Sequence, residues 1–231
     1  MSATHGVLPS LVSGPLRRLL RRVWGQEEAL SPPVAVTTTV PLPRRSNGLR
    51  EFWRGLQDQS GLRILDLGAA SQANISFITD RGHKFYTADL LSVVSSAPLN
   101  GKMDDEAEEA ESRFWSKHLN YPGEQFDGIL CWDLLDFVGD PLVKPLVERL
   151  YELLKPGGNL LAFFHANPAG LPIPLCQYRI CSEDKLEMIG RGMGKLHRQF
   201  HNRSIENLFR KFSSLKFYLS RDNLREVVIV R

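Results

Sequence analysis

Cysteine is scarce in this sequence: 231 residues carry 3, at Cys131, Cys176 and Cys181. An odd, widely spaced set fits neither a disulfide framework nor a CxxC metal knuckle, and it favours a reducing, cytoplasmic compartment. Long apolar runs are missing too; none approaches the roughly 20 residues that span a bilayer. The N-terminus mixes basic and apolar residues where a secretory signal would have an unbroken apolar stretch. There is little excess charge: 29 Lys and Arg against 26 Asp and Glu, a net +3, give no ground for a nucleic-acid partner. Enough is present for a buried core, with 42% hydrophobic and 24% charged residues.

Two segments are predicted. Residues 1–48 form an extension. Within it Leu16, Leu19, Leu20 and Val23 recur at helical spacing, with Arg17, Arg18, Arg21 and Arg22 on the other face. Such a basic amphipathic helix suits a peripheral membrane or protein contact through residues 15–24, or packing on the domain. Pro32, Pro33, Pro41 and Pro43 then make an extended linker. Residues 49–231 form the domain proper.

Glycine is short where it counts most. Residues 63–67, Arg-Ile-Leu-Asp-Leu, read as a buried strand that breaks at Gly68 and turns through Ala69, Ala70 and Ser71 into a helix over 72–80. A strand at 84–88 ends in Asp89, about 20 residues beyond the loop. A helix N-terminus leaves outward N–H groups and a partial positive charge. Small residues let a ligand approach the backbone there. An acid at the end of the second strand can accept from ribose hydroxyls. Residues 104–111 are nearly all acidic, but consecutive positions point around a helix, so no metal site is expected.

Further on, Phe126-Asp127-Gly128-Ile129-Leu130-Cys131-Trp132 is a strand. Asp140-Pro141 is expected to cap a helix striped by Leu142, Val143, Leu146, Val147, Leu150 and Leu153. Lys155-Pro156-Gly157-Gly158 stops it before a buried strand over 159–164, which predicts a parallel crossover. The stretch 167–194 looks loose, with one small strand or helix at 177–189 and flexibility over 190–194. A helix capped by Ser204 and running to Phe212 is followed by strands at 215–219 and 224–230, joined by a hairpin-type connection.

This ordered set of motifs resembles the class I S-adenosylmethionine-dependent methyltransferases over about 49–231. Its sharpest pieces are Ile64-Leu65-Asp66-Leu67-Gly68, Phe126-Asp127-Gly128-Ile129-Leu130 and Leu153-Leu154-Lys155-Pro156-Gly157-Gly158, with Asp89 between. The resemblance implies an α/β, Rossmann-like three-layer sandwich with a seven-stranded, mostly parallel sheet and an antiparallel last strand. It implies S-adenosylmethionine as cofactor and a methyltransferase activity on a small or unidentified acceptor. Carried over by position, Asp66, Gly68, Ala69, Ala70, Asp89, Leu90 and Trp132 line the cofactor site. Asn120, beside Leu119, stands where the third strand would supply an adenine contact.

The family usually has Asp/Glu-x-Gly-x-Gly-x-Gly; here Ala70 and Gln72 replace the second and third glycines. Ala70 adds a methyl at the close approach, and Gln72 can narrow the path. That departure keeps a second reading open, a non-catalytic binding or scaffolding module of the same fold, discriminated by whether Gln72 fills the cleft. A nicotinamide-dependent dehydrogenase fits less well, because it needs the third glycine for the pyrophosphate turn. Methyl transfer asks chiefly for alignment, and a base only where the acceptor carries a proton of high pKa. The catalytic candidates lie at strand ends: Asp133 and Asp136 just after the strand at 126–132, and His165 just after the one at 159–164. Cys131-Trp132-Asp133-Leu134 occupies the place of an Asn-Pro-Pro-Tyr type motif, which argues against adenine N-methylation. Tyr178, Arg179, His197 and His201 fall in the segment that would cover the acceptor.

Overall fold

The computed structural model describes residues 40–57, 59–96, 113–220 and 222–231. The expected basic helix at 15–24, most of the Pro-rich stretch and the acidic run lie outside the described residues. The chain divides into units at Met1–Ala35 and Val36–Arg231, and all described residues fall in the second.

A six-stranded sheet is the frame, in the order β3-β2-β4-β5-β9-β8. These strands are β2 (Arg63–Asp66), β3 (Lys84–Thr87), β4 (Phe126–Trp132), β5 (Leu154–His165), β8 (Ser214–Leu219) and β9 (Leu224–Val230). The pairs β2–β3, β2–β4 and β4–β5 are parallel, whereas β9 is antiparallel to both β5 and β8. The Rossmann-like fold with an antiparallel last strand is therefore as expected, with six strands among the described residues where seven were predicted.

Why these segments are strands is visible in their two-sided burial. Ile64, Leu130, Trp132, Leu161, Phe163 and Val228 pack on one face. Their chain neighbours Leu65, Ile129, Cys131, Leu160, Ala162, Phe164 and Ile229 pack on the other. That alternation, apolar at every position, is what a sheet covered on both faces requires. The second layer includes α4 (113–118) and α6 (Asp140–Leu153), which enters through Leu142, Leu146 and Leu150. The first layer is closed by α1 (Asn47–Arg54), α2 (Gln72–Thr79) and a separate small sheet. The remaining helices are α3 (Leu90–Ser96), α5 (Leu134–Phe137) and α7 (Asn202–Leu208).

That small sheet has the order β1-β7-β6, built from β1 (Leu42–Arg45), β6 (Pro172–Ser182) and β7 (Lys185–Lys195). It corrects two expectations. The stretch 172–195 is one long antiparallel hairpin, neither loose nor a short element. One of its glycines is a packing device: a Cβ on Gly194 would sit 2.4 Å from Leu175 Cδ2 and 2.7 Å from Phe137 Cε1. The ordered fold also starts ahead of residue 49, because Leu42–Arg45 pairs with β7. Arg44 is buried there, ion-paired with Glu226 and with Asp222 (2.6 Å). Glu226 also accepts from Ser46 Oγ and the Gly48 N–H.

Smaller corrections concern helix ends. Gly139 is the N-cap of α6, and Asp140 lies inside the first turn. The α7 helix begins at Asn202 after His201 and ends at Leu208, four residues short of Phe212.

Candidate functional site

The strand order reverses between β2 and β4: from β2 the chain steps outward to β3, then returns to the other side as β4. In an open α/β sheet a ligand crevice forms at such a point, outside the carboxyl ends of the strands. Here those ends carry Asp66 on β2 and Trp132 on β4, with Asp89 following β3 and His165 closing β5.

Asp66 and Trp132 build the floor. Asp66 is fully buried; its Oδ1 accepts from Trp132 Nε1 (2.6 Å) and the Gly68 N–H (2.9 Å), and its Oδ2 from Asn74 Nδ2 (2.8 Å). Burial raises its pKa against these three donors. Trp132 has φ +52°, a left-handed conformation uncommon for a bulky residue, and follows a register shift in the β4–β5 pairing. Its indole stacks on Tyr178 (4.9 Å between centroids, 9° between planes). Gly68 is required by this indole: a Cβ there would lie 2.9 Å from Trp132 Cδ1. The glycine common to the resemblance thus makes room for a side chain of this protein.

Ala69 and Ala70 form the rim, Ala70 being exposed. Their carbonyls accept from Gln177 Nε2 at 3.3 and 2.7 Å, which ties the loop to β6. Asp89 is half-buried and accepts from the Ser92 N–H (3.1 Å) and Ser92 Oγ (2.7 Å), so it also caps α3. A carboxylate has about four acceptor positions, which leaves capacity for two hydroxyls.

Leu90 is buried in the core beneath the rim. Asn120 requires a correction. It is exposed, one residue before Tyr121, whose ring packs on Phe126 (5.1 Å) at the opposite end of β4. Seven residues of β4, about 20 Å, separate it from the crevice. Residues 113–118 are helical, so no third strand forms at Leu119–Asn120. Gln72 is exposed and donates to Ser76 Oγ (3.2 Å) along α2, away from the cleft. The discriminating observation for the scaffolding alternative is therefore not met.

Two observations test whether an adenosyl cofactor fits these residues. The N-terminus of α2 has no side-chain cap, and the Ser71 hydroxyl beside it is buried without a hydrogen-bond partner. Polar capacity stands unused where the loop meets the helix, as an amino-acid-bearing ligand demands. With Asp89 open across the rim, the residues fit. Ser71, Asn74 and Gln177 were not singled out as site residues from the sequence. Ser71 alone had a legible signal, its place just before a helix start.

The second cluster adjoins the first. His165 Nε2 lies 3.2 Å from Asp133 Oδ2, so these two catalytic candidates meet. Tyr178 OH donates to the same oxygen (2.8 Å). Asp136 Oδ2 accepts from the His165 N–H (2.7 Å), while its Oδ1 is buried without a partner. Burial pushes the Asp136 carboxyl up to about 7, against the His165 N–H. For the His165 imidazole burial opposes protonation, but Asp133, then Asp136 and Asp222, outweigh it and raise its pKa. Burial, with Asp133, keeps Tyr178 protonated far above its ordinary range. His197 reaches the cluster only through its backbone N–H, to the Asp136 carbonyl (3.2 Å). Arg179 and His201 form no part of it. Among the described residues no three metal-ligating side chains converge.

The family model described as a methyltransferase domain matches residues 41–212. The chain belongs to this family. The methyltransferase has fold neighbours among solved structures. A Burkholderia thailandensis 1,6-didemethyltoxoflavin-N1-methyltransferase, solved with 1,6-didemethyltoxoflavin and S-adenosylhomocysteine, is 15% identical, with a TM-score of 0.44 over 96% of this chain and 91% of that one. A methyltransferase from Archaeoglobus fulgidus is 9% identical, with a TM-score of 0.46 over 79% of this chain and 91% of its own. No curated protein matches the sequence. Among the described residues no helix of the methyltransferase is long and apolar enough to cross a membrane.

Proposed function

We propose that the crevice at the β2/β4 reversal holds S-adenosylmethionine and that the His165 cluster activates a small-molecule acceptor beside it. The observation that carries this is the continuous set of strand-end contacts: Asp66 to Trp132, then Asp133 to His165. Strands lie about 4.8 Å apart, so β2 to β5 covers about 10 Å, the scale of one bound cofactor beside its acceptor.

Asp89 would hold the ribose hydroxyls. Ser71 and the loop backbone at residues 68–71 would hold the amino-acid portion. When bound, the cofactor supplies a methyl group on a sulfonium leaving group. The protein's task is then to align the acceptor and to accept its proton. Asp133 holds the Nε2–H of His165, and Tyr178 fixes that carboxylate by donating to the same oxygen. This leaves Nδ1 as the base, since the ring makes no other hydrogen bond among the described residues. The free Cys131, Cys176 and Cys181 thiols fit a cytoplasmic setting.

Calorimetric titration with S-adenosylhomocysteine tests the reading. One saturable site is expected in the wild type, and at least tenfold weaker binding in Asp89→Ala. A folded wild type that gives no heat at millimolar ligand overturns it.

A further inference from the structure

Beside His165 lies a cavity of about 140 Å³ that nothing above has used. Its wall is largely carbon, from Met188, Leu224 and Pro174, with Val40 and Leu42 at the exposed mouth. His165 and Tyr178 form the polar end. A cavity of ~150 Å³ lined by aliphatic side chains takes up benzene, so this one has the capacity of a single six-membered ring. We infer that it is the acceptor pocket and that it takes a monocyclic phenol, seated with its hydroxyl toward the free Nδ1 of His165. This rests on the methyl-transfer reading and narrows it to a substrate class.

Charge and acidity select the class. The groups facing His165 are Asp133 from the end of β4, Asp136 from α5, Asp222 ahead of β9, and Tyr178 and Cys176 from β6. The carboxylates disfavour an anionic acceptor. Asp222 is ion-paired with Arg44 at 2.6 Å, which leaves it a poor partner for a cationic one. A neutral molecule with one dissociable proton remains. An aliphatic hydroxyl is too weak an acid for an imidazole to deprotonate effectively, whereas a phenol, with a pKa near 10 as in tyrosine, is within reach. The proton passes from the phenol oxygen to Nδ1, and Asp133 stabilises the imidazolium that results. Burial pushes the Cys176 thiol up to about 12, so it stays a neutral part of the wall.

4-Nitrophenol is the probe, because its phenolate absorbs visible light, and the full chain is used throughout. Saturable binding is expected, with phenolate absorbance appearing at a pH where the free probe is largely protonated. Met188→Trp, which fills the cavity, is expected to weaken probe binding at least tenfold while S-adenosylhomocysteine still binds. Leu42→Trp, at the exposed mouth, repeats the test without disturbing the core. His165→Gln is expected to bind the probe but lose the phenolate signal. The inference is overturned by absence of saturable binding, by binding unchanged in both tryptophan variants, or by a phenolate signal that survives His165→Gln. If the wild type binds S-adenosylhomocysteine but not the probe, only the pocket assignment fails; if it binds neither, the underlying reading fails with it.

Discussion

Replacing Asp136 by asparagine is expected to stabilise the protein, and more so as pH rises. The Asp136 side chain is fully buried; one oxygen accepts from the His165 N–H and the other has no partner. Burial raises its pKa to about 7. The fold therefore favours the neutral acid, and the unfolded chain favours the carboxylate. The resulting cost is absent below the pKa of the unfolded carboxyl, grows as pH rises, and is complete above about 7. A displacement of that size corresponds to a ceiling of about 4 kcal/mol between the two protonation states. Asparagine keeps an oxygen for the His165 N–H and never ionises. Its advantage over the wild type is expected to grow by about 2–3 kcal/mol between pH 5 and pH 8. Urea unfolding of both proteins at the two pH values measures this. An advantage that is the same at both, or larger at pH 5, refutes the assignment of Asp136 as a buried acid held neutral. Above about pH 7, where Asp136 ionises, the variant also lacks the charge that helps to raise the pKa of His165.

Arg44→Met strands the buried Glu226 carboxylate, still bonded to Ser46 and Gly48, and is expected to cost about 3–5 kcal/mol in urea unfolding; a loss below 1 kcal/mol would contradict the integration of β1 into the domain. Gly68→Ala puts a Cβ 2.9 Å from Trp132 Cδ1 and is expected to cost about 1–3 kcal/mol by the same assay. It should also change tryptophan fluorescence, because the indole must leave its place on Tyr178. An unchanged spectrum and stability would show that the indole does not need the glycine.

Much of the frame was legible because its causes are local. Burial on both faces of β4 and β5 is written as long apolar runs, and the parallel crossover between them follows from strand, helix, Pro-Gly-Gly and strand in that order. Asp127 and Lys155, read from the sequence as family marks, turn out to pair at 2.6 Å. Asp127 also accepts from the Arg63 N–H (2.8 Å), which joins the starts of β2, β4 and β5. The β6–β7 hairpin was not legible. Its Pro172, Pro174, Gly190, Gly192 and Gly194 suggest a loop, and the need for the last of them comes from Leu175 and Phe137, whose proximity no local pattern reveals. The strand at Leu42–Arg45 was hidden for the same reason: proline spacing masks a four-residue strand whose partners are nearly 150 residues away. In the site, the positions of Asp89 and His165 at strand ends could be read. The burial of Asp66 under Trp132 could not, because it depends on a bond between residues 66 apart. Asn120 failed because a missing strand was sought in residues that fold as a helix and turn at the far end of β4.

The central claim is that the loop after β2 and the acid after β3 hold the cofactor. Amide hydrogen exchange with and without S-adenosylhomocysteine tests this most directly. Slowed exchange is expected at residues 68–74 and 89–92, and none in the groove between α6 and α7 lined by Tyr151, Asn207 and Phe212. Protection confined to that groove, or absent from both loops while the ligand is bound, would contradict it.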